Sequence, residues 1–148
     1  MVKQELHRQC CAYVSSRIDE TSLAIADAQQ TIARETKSSA GDKYETTREM
    51  MQQEINRDSG RLYELKKLEA VLNVTDPTST HTTVQPGSVV KTDGGNFYLG
   101  ISAGLLTLGA EQYQAISPAT PIGQRMMGLK KGDSFEFNKK QYTVLEVH

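Results

Sequence analysis

The residues Cys11, Val14, Ile18, Thr21, Ile25, Ala28, Ile32 and Glu35 recur at alternating intervals of three and four, and no proline interrupts the chain before Pro77. That spacing is the a/d seam of a coiled coil, a helix with one narrow stripe to bury. A second run, Tyr44, Arg48, Met51, Ile55, Asp58, Leu62, Leu65, Glu69 and Leu72, repeats it with polar residues at 48, 58 and 69. Between the runs, Thr36-Lys37-Ser38-Ser39-Ala40-Gly41-Asp42 supplies a glycine stop and Ser and Asp as N-cap candidates. Two stripes joined by so short a loop can satisfy each other only by folding back. Residues 1–73 are therefore expected to hold an antiparallel coiled-coil hairpin, helical over about 3–37 and 43–72, with its tip at about 36–46. At 1.5 Å per residue, a 30-residue arm of this kind is roughly 45 Å long.

Composition changes abruptly after this region. All four prolines, nine of the eleven glycines and every Phe lie from Pro77 onward, which is the composition of a turn-rich β domain. Residues 74–83 are polar, Thr-rich and aperiodic, so they read as a linker, with His81 a solvated residue within it. Short β-branched or aromatic runs follow at 88–91, 96–101, 112–116, 134–137 and 142–147, and each reads as a strand. Asp93-Gly94-Gly95 and Asn138-Lys139-Lys140-Gln141 are placed as hairpin turns, and Thr120 before Pro121, with Gly128 beyond, marks one short helix. The expected architecture is α+β: the hairpin, a linker at 74–83, and a small antiparallel sheet with one helix over 84–148.

The charge balance excludes some functions. With 17 Lys+Arg against 18 Asp+Glu, no global basic field draws the chain to DNA or to anionic lipid, so stable independent DNA binding and membrane association are not expected. The absence of a long apolar run points to a cytoplasmic protein. Cys10 and Cys11 are adjacent and read as reduced packing residues, and His7 as a solvated helix residue. Met126 and Met127 are expected in the core, and the Lys130-Lys131 and Lys139-Lys140 pairs as solvated turn charges. No Ser/His/Asp or Cys/His constellation, phosphate loop or metal-ligand spacing argues for an independent enzyme.

The segment Ile116-Ser117-Pro118-Ala119-Thr120-Pro121-Ile122-Gly123-Gln124-Arg125-Met126-Met127-Gly128-Leu129-Lys130-Lys131-Gly132-Asp133 resembles, without a gap, the I-S-x-x-S-P-I-G-x-x-L-L-G-x-x-x-G-D signature of the Gre-type transcript cleavage factors. As in that family, it lies in a C-terminal β-rich domain after an N-terminal helical hairpin. The resemblance implies an FKBP-like C-terminal domain and a monomer that binds bacterial RNA polymerase. Its coiled coil would enter the secondary channel and stimulate cleavage of backtracked RNA, meeting the nascent RNA 3′ end only indirectly. Thr120, Pro121, Ile122, Gly123 and Asp133 are then the partner-binding residues of the C-terminal domain.

In the family the tip reads G-D-x-x-E-N, and Gly41-Asp42-Lys43-Tyr44-Glu45-Thr46 keeps the two acids but not the Asn. The resemblance makes Asp42 and Glu45 the catalytic acids. They would act in trans as ligands to Mg²⁺ shared with the polymerase active site, with no cofactor bound by the chain alone. Spacing i, i+3 at a helix start places both on one face beside the favourable end of the helix dipole. The same spacing also suits a capping box, with Asp42 the cap and Glu45 its partner. An alternative register matches the family's Tyr and Arg-Glu to Tyr44, Arg48 and Glu49, which puts Lys37 and Ala40 at the acid positions. That register implies a Gre-fold regulator that occupies the channel without cleavage. A coiled-coil interaction module is the remaining alternative.

Overall fold

The structure, a computed structural model, describes the backbone of residues 2–38 and 42–148 and the side chains of 2–35 and 44–148. Two long helices, α1 (Val2–Ser38) and α2 (Asp42–Asn73), pack against each other. Strands β1 (Val89–Thr92), β2 (Gly95–Leu99), β3 (Gly104–Leu108) and β4 (Glu111–Ile116) follow, then α3 (Pro121–Met126), β5 (Ser134–Phe137) and β6 (Lys140–Val147). The layout is α+β, as the sequence leads one to expect. By contacts the chain forms two compact units, residues 14–69 and residues 1–13 together with 70–148.

In the first of these units the seam of α1 matches its periodicity, with Val14, Thr21 and Ala28 buried and Ile18, Ile25, Ile32 and Glu35 half-buried. The seam of α2 departs from strict alternation. Thr47 and Leu68 are half-buried, whereas Arg48 and Glu69 are exposed. Shifting the contact by one residue costs an irregular step along the helix, and burying an arginine or a glutamate costs more. Asp58 alone of the three polar interruptions stays on the seam, 8% exposed, with Arg57 Nε at 3.9 Å and Arg61 Nη1 at 3.8 Å from its Oδ1.

The other unit is built on a six-stranded sheet in the order β3-β4-β2-β1-β6-β5. All neighbours pair antiparallel except β2 and β4, which are parallel, Tyr98 opposite Ala115. The sheet is thus mixed rather than antiparallel, and β3 is a strand that the sequence reading places nowhere. Its segment, Gly104-Leu105-Leu106-Thr107-Leu108, is leucine-rich with a glycine start, and it is an edge strand with only Leu106 buried. Neither β-branched composition nor alternation announces it.

The two faces of the sheet are covered differently. On one, Val84, Val90, Phe97, Leu99, Ile116, Phe135 and Val144 close over Met126 of α3. Tyr142 stacks on Phe135 with ring centroids 4.9 Å apart. On the other, cross-strand neighbours Val89, Tyr98 and Ala115, with Tyr113 and Leu106, are buried. The first turns of α1 lie against this second face. Leu6 and Cys10 are fully buried, His7 Nδ1 is 3.4 Å from Tyr98 Oη, and Gln9 donates to Thr107 O at 3.0 Å. Among the described residues no helix is long and apolar enough to cross a membrane.

Candidate functional site

Helix α2 starts at Asp42, so Asp42 and Glu45 share its first turn, three positions apart. Glu45 is exposed, as are Arg48 and Glu49, while Tyr44 is half-buried on the seam. The side chains of Asp42 and Lys37, and Ala40 as a whole, lie outside the described residues. The capping box that pairs Asp42 with Glu45 lies outside them too.

The 116–133 segment is described completely, and nearly every position in its motif has a local mechanical role. Thr120 is the N-cap of α3: its Oγ1 accepts from Gly123 N at 3.2 Å and donates to Ser117 O at 2.6 Å. Ser117 Oγ accepts from Ala119 N at 3.2 Å, and Pro121 fills the first helical position, where its missing N–H costs nothing. Gly123 is buried where a Cβ would stand 2.5 Å from Ser117 O, so only glycine fits. Ile122 packs against the core beside Met127, and Met126 is fully buried, as the sequence reading expects of the methionines. Gly128 takes φ +83° and donates to Val84 O at 2.9 Å. Asp133 closes the turn at 130–133, its Oδ2 accepting from Lys130 N at 2.8 Å, while Gly132 takes φ +92°. Thr120, Gly123 and Asp133 therefore build a rigid platform. Pro121 and Arg125 on α3 are exposed, with Lys139 lining the same surface pocket, and Lys130 and Lys131 are exposed in the turn that follows.

Sequence reasoning misses a third cluster, where the first turn of α1 meets residues 76–88. Lys3, only 7% exposed, donates from Nζ to Ser79 O at 2.7 Å. His81 is not a solvated linker residue: its Nδ1 lies 2.7 Å from Ser88 Oγ and its Nε2 3.2 Å from Ser79 Oγ. Ser88 is fully buried and its Oγ already accepts from Gln85 N at 3.0 Å. Ser79 Oγ donates to Asp76 O at 2.9 Å, so it accepts from His81 Nε2, and the ring carries a proton on that nitrogen. Burial, then the charge of Lys3, holds the His81 pKa below its ordinary value of 6.5. A polar Thr/Ser context looks solvated in one dimension. In space His81 is folded onto Ser79 and Ser88, and the first turn of α1 meets the segment through Lys3.

Burial also pushes the Cys10 thiol up to about 12, with Cys11 beside it adding to the shift. Both cysteines are free. Cys10 is a packing residue rather than a nucleophile, since the reactive species is the thiolate. No protein-family profile and no curated protein matches the chain.

Proposed function

We propose that the chain is a Gre-like factor that binds bacterial RNA polymerase through the channel leading to its active site and stimulates cleavage of backtracked RNA. The observation that carries the reading is a helical hairpin whose second helix opens on Asp42 and an exposed Glu45. It occurs in the same chain as a 116–133 segment that resembles the Gre-type signature. A 37-residue helix is about 55 Å long, enough for a narrow rod to carry a carboxylate deep into another protein.

Two carboxylates are too few to hold Mg²⁺, which takes about six oxygen ligands in octahedral geometry. They suit a metal already held in part by a partner, where they complete the coordination and orient water. The metal supplies Lewis acidity and a lowered water pKa. Asp42 and Glu45 contribute position and charge from the first turn of α2. Pro121, Arg125 and the platform under them are the proposed contact of the C-terminal domain with polymerase.

The test is a transcript-cleavage assay on stalled, backtracked complexes. The wild-type chain should accelerate cleavage, and Asp42→Asn or Glu45→Gln should each reduce that stimulation at least tenfold, about 1.4 kcal/mol in the barrier, with little change in affinity. Binding without stimulation by the wild type replaces this reading with that of a channel-occupying regulator. No binding to polymerase at all leaves the interaction-module reading.

A further inference from the structure

A cavity of about 370 Å³ lies where the first turn of α1, the turn at 77–80, β1 and the end of β6 meet. Its size is in the range of small-molecule sites, roughly 300–1,000 Å³. Three of its lining residues, Lys3, Lys91 and His148, are basic and none is acidic, while Val2, Pro77 and Val89 supply apolar wall. The carboxylates nearest these three side chains stand outside the lining. Glu111 Oε2 is 3.3 Å from Lys91 Nζ, Glu146 Oε2 is 3.1 Å from His148 Nε2, and Asp76 attracts Lys3 electrostatically.

Lys3 is the informative member. An ammonium has three N–H donors, and among the described residues Ser79 O accepts one of them. Lysine is almost never buried to this extent unless its charge is well paired, and a single carbonyl 2.7 Å away is a thin substitute for water. The partial positive charge of the α1 N-terminus, whose Val2 and Gln4 also line the cavity, adds to the same field.

We propose that this cavity binds a small organic anion, with a carboxylate or phosphate group on the side of Lys3, Lys91 and His148 and a compact apolar body against Val2, Pro77 and Val89. Such a ligand returns to Lys3 the acceptors that burial removes and braces α1 against residues 77–80. The proposal is independent of the polymerase reading.

The experiment is calorimetric titration of the full chain with phenyl phosphate, benzoate and inorganic phosphate. Saturable 1:1 binding of phenyl phosphate or benzoate is expected, with inorganic phosphate at least tenfold weaker because it lacks the apolar body. Lys91→Gln and Lys3→Met should each weaken the organic anions at least tenfold. Because Lys3→Met also removes the bond to Ser79, the Lys91→Gln variant decides the matter. Absence of saturable binding by all three probes overturns the proposal. Wild-type affinity in Lys91→Gln overturns it as well, and equal affinity for inorganic phosphate and phenyl phosphate overturns its apolar half.

Discussion

A methyl group added at Gly123 would meet Ser117 O at 2.5 Å and Pro118 Cα at 3.1 Å, both backbone atoms that cannot step aside, whereas one added at Gly60 would meet nothing within 4 Å. The two glycines therefore give opposite predictions. Gly123→Ala should destabilise the chain by roughly 2 kcal/mol or more through overpacking at the cap of α3. Gly60→Ala, in the exposed interior of α2, should stabilise it by about 0.5–1 kcal/mol through backbone entropy. Denaturant titration of the two variants checks both, and similar effects of the same sign would show the packing argument to be wrong. The histidines carry a pH prediction. His81 and His7 both have pKa values lowered from 6.5, chiefly by burial. The unfolded chain then binds protons that the folded chain refuses, so their contribution to stability is present above about pH 6.5 and is lost as pH falls below it. His81→Gln should flatten that dependence in part, and the double variant with His7→Gln should flatten it further. An unchanged slope of melting temperature between pH 7 and 5 would refute the assignment.

At the scale of elements, the start of α1 belongs with the sheet. Leu6 and Cys10 are fully buried, deeper than a two-helix seam requires, because a strand face lies under them. A chain beginning at residue 74 would leave Tyr98, Leu106 and Tyr113 without that cover, and it should lose at least about 3 kcal/mol of stability or aggregate. Replacing residues 14–69 by a short Gly/Ser loop, by contrast, should leave the β unit folded with a melting temperature close to that of the full chain. Calorimetry on the two shortened chains separates these outcomes, and equal stability would mean that α1 is only a passenger on the sheet. Helix bounds, the β1–β2 and β5–β6 turns and the α3 cap follow from local rules and are legible in the sequence, although Lys140 and Gln141, read as part of the second turn, belong to β6. Strand β3 is not, because an edge strand is stabilised by its neighbour β4 rather than by its own propensity.

For the whole molecule, the Gre-like reading divides labour between a platform and an arm, and the chain with 14–69 replaced tests that division. It should still bind polymerase, more weakly than the full chain, and should stimulate no cleavage. Cleavage stimulation by this arm-less chain would remove Asp42 and Glu45 from any role. Much of the design is local and therefore readable in one dimension. The 3,4 spacing from Cys11 to Glu35 dictates an amphipathic helix because side chains at those intervals share a face. Thr120, Pro121, Gly123 and Gly128 dictate a capped short helix because each meets a backbone requirement within a few residues of itself. Long-range enclosure decides the rest. Whether Arg48 or Thr47 faces the partner helix depends on the cost of burying a charge across the seam. That Lys3 is buried depends on the first turn of α1 meeting a segment some 75 residues later in the chain, since Lys3 and Ser79 are 76 apart. Desolvation is a property of what surrounds a group in space, so sequence alone specifies the helices and turns, while tertiary packing decides which polar groups lose their water.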